Sequence, residues 1–200
     1  ENYPFCTIEP HVGIVAVPDS RLQELADIVV PEKIIPAHME FVDIAGLVAG
    51  ASKGEGLGNK FLANIREMQA IIQVVRCFDD DNIVHVSGRI DPISDIEIIN
   101  TELCLADLEI VNNALNKANK LNRSGNKNVE KEVETLQKLV AHLDEGLPIR
   151  TINISELDHV IIKNLSLLTQ KPILYIANIE ENGADKNPWL EKIRSFLENE

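Results

Sequence analysis

The chain has 200 residues, a net charge of −13, 44% hydrophobic residues and 26% charged ones, the balance of a globular domain able to bury a core. No run of about 18 apolar residues occurs, which excludes a helical membrane span. The acidity opposes non-specific attraction to nucleic-acid phosphate over most of the surface, and leaves open a local basic contact with RNA or a protein partner.

Cys6, Cys77 and Cys104 are odd in number, far apart and without a C-x-x-C pair, which argues against a disulfide framework or zinc site. With no basic and apolar leader at Glu1-Asn2-Tyr3-Pro4, the expected setting is the reducing cytoplasm.

In chain order, His11 to Val17 is apolar and β-branched and reads as a strand, and Pro18-Asp19-Ser20 as a turn. Arg21 to Val29 follows as a short helix with Leu22, Leu25, Ala26 and Val29 on one face. Met39 to Ile44 is a second strand, Lys60 to Ala70 a helix and Ile71 to Phe78 a third, buried strand. Ser94-x-x-Glu97 is a capping box opening a helix to about Leu121, with Ile99, Leu103, Ala106, Ile110 and Ala114 at helical spacing. After the polar turn Asn122–Asn128, a second helix carries Val129, Val133, Leu136, Val140 and Leu143 at coiled-coil spacing. The two are expected to fold back as an antiparallel hairpin. Its role, packing on the domain or protruding as a recognition arm, stays open. A helix near Glu156 to Leu168 precedes a fourth strand, Pro172 to Ala177.

Strands alternating with helices predict an α/β fold, a mostly parallel sheet flanked by helices, with the antiparallel helical hairpin inserted in it. The expected divisions are 1–92 and 151–200 for the two parts of the α/β domain and 93–150 for the hairpin.

The chemistry concentrates at the second strand. Phe41-Val42-Asp43-Ile44-Ala45-Gly46-Leu47 delivers a carboxylate at a strand end, and Gly46, Gly50, Gly54, Gly56 and Gly58 then form a glycine-rich loop. A P-loop nucleoside triphosphatase needs that arrangement: the strand-end carboxylate holds a Mg²⁺ shell, and the glycine three residues on brings its N–H to a γ-phosphate. The phosphate-cradling run G-x-x-x-x-G-K-[ST] occurs nowhere in the 200 residues. Gly54-x-Gly56-x-Gly58 follows a loop rather than a strand end, so it is not a dinucleotide fingerprint.

Asn2-Tyr3-Pro4-Phe5-Cys6-Thr7-Ile8-Glu9-Pro10 and the run from Phe41 to Leu62 closely resemble the YchF subfamily of the Obg-type translation-factor GTPases, the Obg-like ATPases. The likeness continues through Arg76-Cys77-Phe78, Asn100-Thr101-Glu102-Leu103 and Tyr175-Ile176-Ala177-Asn178. It implies a P-loop G domain with an inserted helical hairpin, a phosphate loop upstream of Glu1 and a TGS domain beyond Glu200. By the same resemblance Thr7 is the switch I threonine, a Mg²⁺ ligand with Asp43, and Gly46 the switch II glycine. ATP is the implied nucleotide, GTP a weaker one, and the ribosome or a ribosomal subunit the implied partner. His11 departs from the family's usual asparagine.

Leu47 stands where Ras-like enzymes carry a water-orienting glutamine, and leucine has no polar atom for that task. His85, after the third strand, is the candidate substitute, since imidazole can polarise water near neutral pH. For the base, the GTPase N-K-x-D is replaced by Asn178-Ile179-Glu180-Glu181. Adenine has no N1–H or N2–H₂ for a bidentate carboxylate, so Asn178 and Glu181 are the expected base contacts of a site that has lost guanine discrimination. The other reading is a non-catalytic binding module that uses the hairpin.

Overall fold

A computed structural model describes residues 11–44, 57–80, 90–123, 129–181, 183 and 187–198. The chain forms two compact units, divided between Gly46 and Leu47.

In the first unit β1 (His11–Ala16), α1 (Arg21–Val29) and β2 (His38–Asp43) follow one another. The two strands pair antiparallel, with His11 opposite Asp43 and Ala16 opposite His38, and the Val17 N–H to Ala37 carbonyl bond of 2.8 Å extends the ladder. The expected sheet is mostly parallel, and this pair is antiparallel. A parallel crossover needs its helix packed on the sheet, and α1 buries none of its residues. Val30 ends α1 in the left-handed region, φ 48°, its N–H bonded to the Ala26 carbonyl.

The second unit holds α2 (Leu57–Glu67), β3 (Ile71–Arg76), α3 (Pro92–Arg123), α4 (Glu130–Asp144), α5 (Glu156–Lys163), β4 (Ile173–Asn178) and α6 (Pro188–Leu197). Here the pairing is parallel, Ile71 opposite Ile173 through Arg76 opposite Asn178. Val75 and Cys77 pack with Ile96 of α3 and Ile193 of α6. On the other face of the pair Ile72, Val74, Leu174 and Ile176 are exposed.

The hairpin is present as expected, and α3 runs unbroken for 32 residues. Its cap is not the Ser94–Glu97 box. The helix starts two residues earlier at Pro92, whose fixed φ suits a first turn, and the Asp91 carboxylate accepts the Ser94 N–H at 3.4 Å. Cys104, Val111 and Ala118 of α3 share one core with Val133, Leu136, Leu139 and Leu143 of α4, closed by Ile149, Ile162 and Leu167. Leu139 was absent from the expected stripe and is fully buried. A capping box holds the start of α5, Ser155 and Asp158 each bonding the other's backbone N–H at 3.3 Å.

Candidate nucleotide site

Asp43 is the last residue of β2 and is exposed, beside half-buried Val42 and Ile44. Alternation along the strand turns its side chain outward while its neighbours turn inward. A carboxylate oxygen is the hard donor Mg²⁺ selects, and Mg²⁺ is held by one or two protein oxygens with phosphate and water completing the shell. Asp43 fits that role. Among the described residues no group of three or more His, Cys, Asp or Glu that would hold a metal occurs. Thr7, Gly46, Leu47 and His85 lie outside the described residues.

Asn178 ends β4 beside the end of β3, its carbonyl accepting the Cys77 N–H at 2.7 Å and its side chain exposed. Ligands of open α/β sheets bind at such carboxyl ends. Ile179 belongs to the core of Val75, Cys77, Ile96 and Ile193, and this anchors the turn. Glu180 and Glu181 are thereby left exposed. The Gly183 N–H closes the turn onto the Glu180 carbonyl at 2.9 Å, and a Cβ on Gly183 would sit 3.3 Å from that oxygen. Asn178 and Glu181 therefore share one short turn. The apolar residue in place of the GTPase lysine has a structural task that the sequence did not disclose.

The end of β3 is tied in two directions. The Arg76 guanidinium donates to the carbonyls of Phe78, at 3.1 Å, and Asp80, at 3.2 Å, and lies 4.7 Å over the Phe78 ring. The Asn187 amide donates to the Cys77 carbonyl at 2.7 Å, while its oxygen caps α6 through the Trp189 and Leu190 N–H groups.

A buried polar junction in the second unit escaped the sequence reading. Asp107 of α3 accepts the Leu168 N–H at 2.9 Å and both the N–H and hydroxyl of Thr169, at 2.7 and 2.8 Å. The Thr169 hydroxyl in turn accepts the Ile149 N–H at 3.1 Å. Lys171 donates to the carbonyls of Arg66 and Met68 at the end of α2. Arg150 reaches Asn100 and the Tyr175 hydroxyl of β4, at 3.3 and 3.4 Å. Burial raises the Asp107 pKa and outweighs the three donors that pull it down. The legible signal was a carboxylate four residues from both Leu103 and Val111, on an otherwise apolar stripe.

Asp158 shows the opposite balance: the Thr135 hydroxyl at 2.6 Å and the Ser155 hydroxyl at 2.8 Å hold its carboxyl far below the usual range.

A strand-end carboxylate before a glycine-rich stretch, a polar turn at the carboxyl end of a parallel pair and a helical insertion are features of an α/β domain of the P-loop class. The sequence profile of the family described as 50S ribosome-binding GTPase matches residues 1–117. Among curated relatives, the "Ribosome-binding ATPase YchF" of Haemophilus influenzae is 53% identical over 199 residues, all of this chain and 55% of that protein. Its Bacillus subtilis counterpart is 52% identical over 202 residues, again all of this chain and 55% of that protein. The solved structure of the Schizosaccharomyces pombe YchF GTPase superposes with a TM-score of 0.80 at 40% identity, over 99% of this chain and 55% of that one. The chain belongs to the 50S ribosome-binding GTPase family, has its P-loop GTPase fold, and is similar over its whole length to the YchF proteins. It spans about half the length of the curated relatives it matches.

Proposed function

We propose that this chain works within a cytoplasmic, Mg²⁺-dependent nucleoside triphosphatase that hydrolyses ATP, accepts GTP less well, and couples its nucleotide state to contact with the ribosome or a ribosomal subunit. The observation that carries the reading is identity of about half, over every part of the chain, to proteins named ribosome-binding ATPases.

Residues 1–92 and 151–200 are the two parts of the nucleotide domain and 93–150 the inserted hairpin. Asp43 and Thr7 hold the Mg²⁺, which neutralises phosphate charge when bound. Gly46 offers its N–H to the γ-phosphate, Asn178 and Glu181 read the base, and His85 orients the attacking water in place of Leu47. Because G-x-x-x-x-G-K-[ST] is absent from these 200 residues, the chain by itself binds ATP weakly or not at all and acts as a binding module through the hairpin.

The test is ATP hydrolysis by the full-length protein. Asp43→Asn is expected to lower Mg²⁺-dependent kcat by about 10²-fold or more, the scale of a lost charge-stabilising group. The pair Ile179→Lys and Glu181→Asp is expected to shift the ratio of ATP to GTP dissociation constants towards GTP. Full activity in Asp43→Asn, or an unmoved ratio, overturns the corresponding assignment.

A further inference from the structure

Cys77 is fully buried just beyond β3, and both of its backbone polar groups bond to the same short stretch of chain. Its N–H donates to the Asn178 carbonyl and its carbonyl accepts from the Asn187 amide, each at 2.7 Å. The run from Asn178 to Asn187 therefore begins and ends on one residue. Each end is also seated in the same core, through Ile179 at the first and Trp189 just beyond the second. Between them Glu180 and Glu181 are exposed.

Asn187 is at the same time the N-cap of α6, where its side-chain oxygen accepts the Trp189 N–H at 3.0 Å and the Leu190 N–H at 3.4 Å. Those two donors can meet only the oxygen, so the NH₂ group faces the Cys77 carbonyl and the orientation of the amide is fixed by its partners. Capping alone asks only for an acceptor, which serine and aspartate supply as well. A buried carbonyl needs a donor too, and of the good caps asparagine alone carries an acceptor oxygen and a separate donor nitrogen. Both halves of the side chain are used here.

We infer that Asn187 is a positioning residue of the nucleotide site, which sets where Asn178 and Glu181 stand at the carboxyl end of the β3–β4 pair and thereby the affinity for the base. The inference rests on the base-reading role proposed for those two residues. Groups that read a ligand must be held within about 0.5 Å of the productive geometry by side chains that are themselves locked, and three hydrogen bonds lock Asn187. Without its donor the α6 cap survives, but the start of α6 is no longer tied to the end of β3. Glu181 then loses its fixed place relative to Asn178, which stays bonded to Cys77 from β4. Thr7, Asp43 and Gly46, assigned to Mg²⁺ and phosphate, come from other segments, so the effect is confined to the base.

The experiment is calorimetric titration of the full-length protein with Mg²⁺–ATP and with Mg²⁺–tripolyphosphate, which carries no base. Asn187→Asp and Asn187→Ser both keep an acceptor for the α6 cap and lose the amide donor, the first at constant shape and the second at constant charge. Each is expected to weaken ATP binding by about 10-fold and tripolyphosphate binding by no more than about 2-fold, with the wild-type helix content in circular dichroism. ATP affinity equal to that of the wild type in both variants leaves Asn187 as a cap only and overturns the inference. Equal weakening of both ligands, or loss of folding in both variants, assigns the bond to the stability of the domain and also overturns it. A wild type that binds ATP no more tightly than tripolyphosphate counts against the proposed roles of Asn178 and Glu181 and removes the inference with them. A wild type that prefers ATP, beside unaffected variants, counts against Asn187 alone.

Discussion

The α3–α4 hairpin and the β1–β2 pair are both written in regular apolar patterns, and they end in opposite states. Leu136 and Leu139 of α4 are 1% and 0% exposed, whereas Val12 and Ile14 of β1 are 58% and 64% exposed. Each hairpin helix presents one stripe, and a short turn brings the neighbouring helix onto it. The strand pair satisfies its backbone through the ladder, and that bonding covers neither face. The strand pair is also where Asp43 sits. The hairpin is therefore held by burial, and the strand pair by backbone hydrogen bonds.

That contrast breaks first on core truncation. Leu139→Ala is expected to cost about 3 kcal/mol in urea unfolding followed by circular dichroism, since it empties a closed site. Ile14→Ala at its exposed position is expected to change stability by no more than about 0.5 kcal/mol. Comparable losses would mean that the strand pair is packed as tightly as the hairpin.

On the nucleotide side the effect is expected in rate rather than stability. His85→Ala in the full-length protein is expected to lower kcat by about 10- to 10³-fold with ATP affinity and Tm nearly unchanged, because a water-orienting group acts in the transition state. An unchanged kcat returns His85 to an ordinary loop residue, and a large loss of affinity makes it a binding residue.

Within the hairpin unit, Asp158→Ala removes the acceptor of the Thr135 and Ser155 hydroxyls and half of the capping box, at an expected cost of about 2 kcal/mol at neutral pH. The depressed pKa sets the sign: this contribution is present above the ordinary carboxylate pKa of about 3.9 and is lost as pH falls through the folded value. The gap between wild type and variant is thus expected to shrink on acidification below about pH 4. A gap independent of pH would show that the lost interactions do not involve the ionised carboxylate.

The smallest effect expected at a buried position is at Asp107. Asparagine keeps the shape but sets its amide against one of the three donors, at a cost of about 1 kcal/mol. A raised pKa gives the opposite sign: the aspartate's stabilisation is full at acid pH and declines as pH rises through the folded value. The wild-type advantage over Asp107→Asn is expected to be widest below about pH 4 and to narrow above it, measured by Tm across a pH series.

Local sequence was enough to place most elements. The α1 boundaries Arg21–Val29 match the apolar spacing, and β2, β3 and β4 each begin within a residue of the expected start. Periodicity and turn residues are short-range properties, so the chain discloses them directly. The hairpin was legible for the same reason, since two striped helices joined by a polar turn have few other ways to bury their stripes. The cap of α3 was misplaced because Asp91-Pro92 and Ser94-x-x-Glu97 are both valid starts a few residues apart, and the earlier one gains a turn of helix.

What the sequence determined by itself was the set of short-range patterns: the strand-end Asp43, the glycine-rich stretch, the Asn178–Glu181 turn and the striped hairpin. Only the tertiary structure decided that β1 and β2 run antiparallel, that Ile179 anchors the Asn178–Glu181 turn in the core, and that Asp107 joins the hairpin to the segment leading into β4. These depend on partners far apart in the chain, such as Asp107 and Thr169, 62 residues from each other. Closing such a separation depends on the whole core packing at once, and no local pattern of residues encodes which distant donor a buried carboxylate will meet.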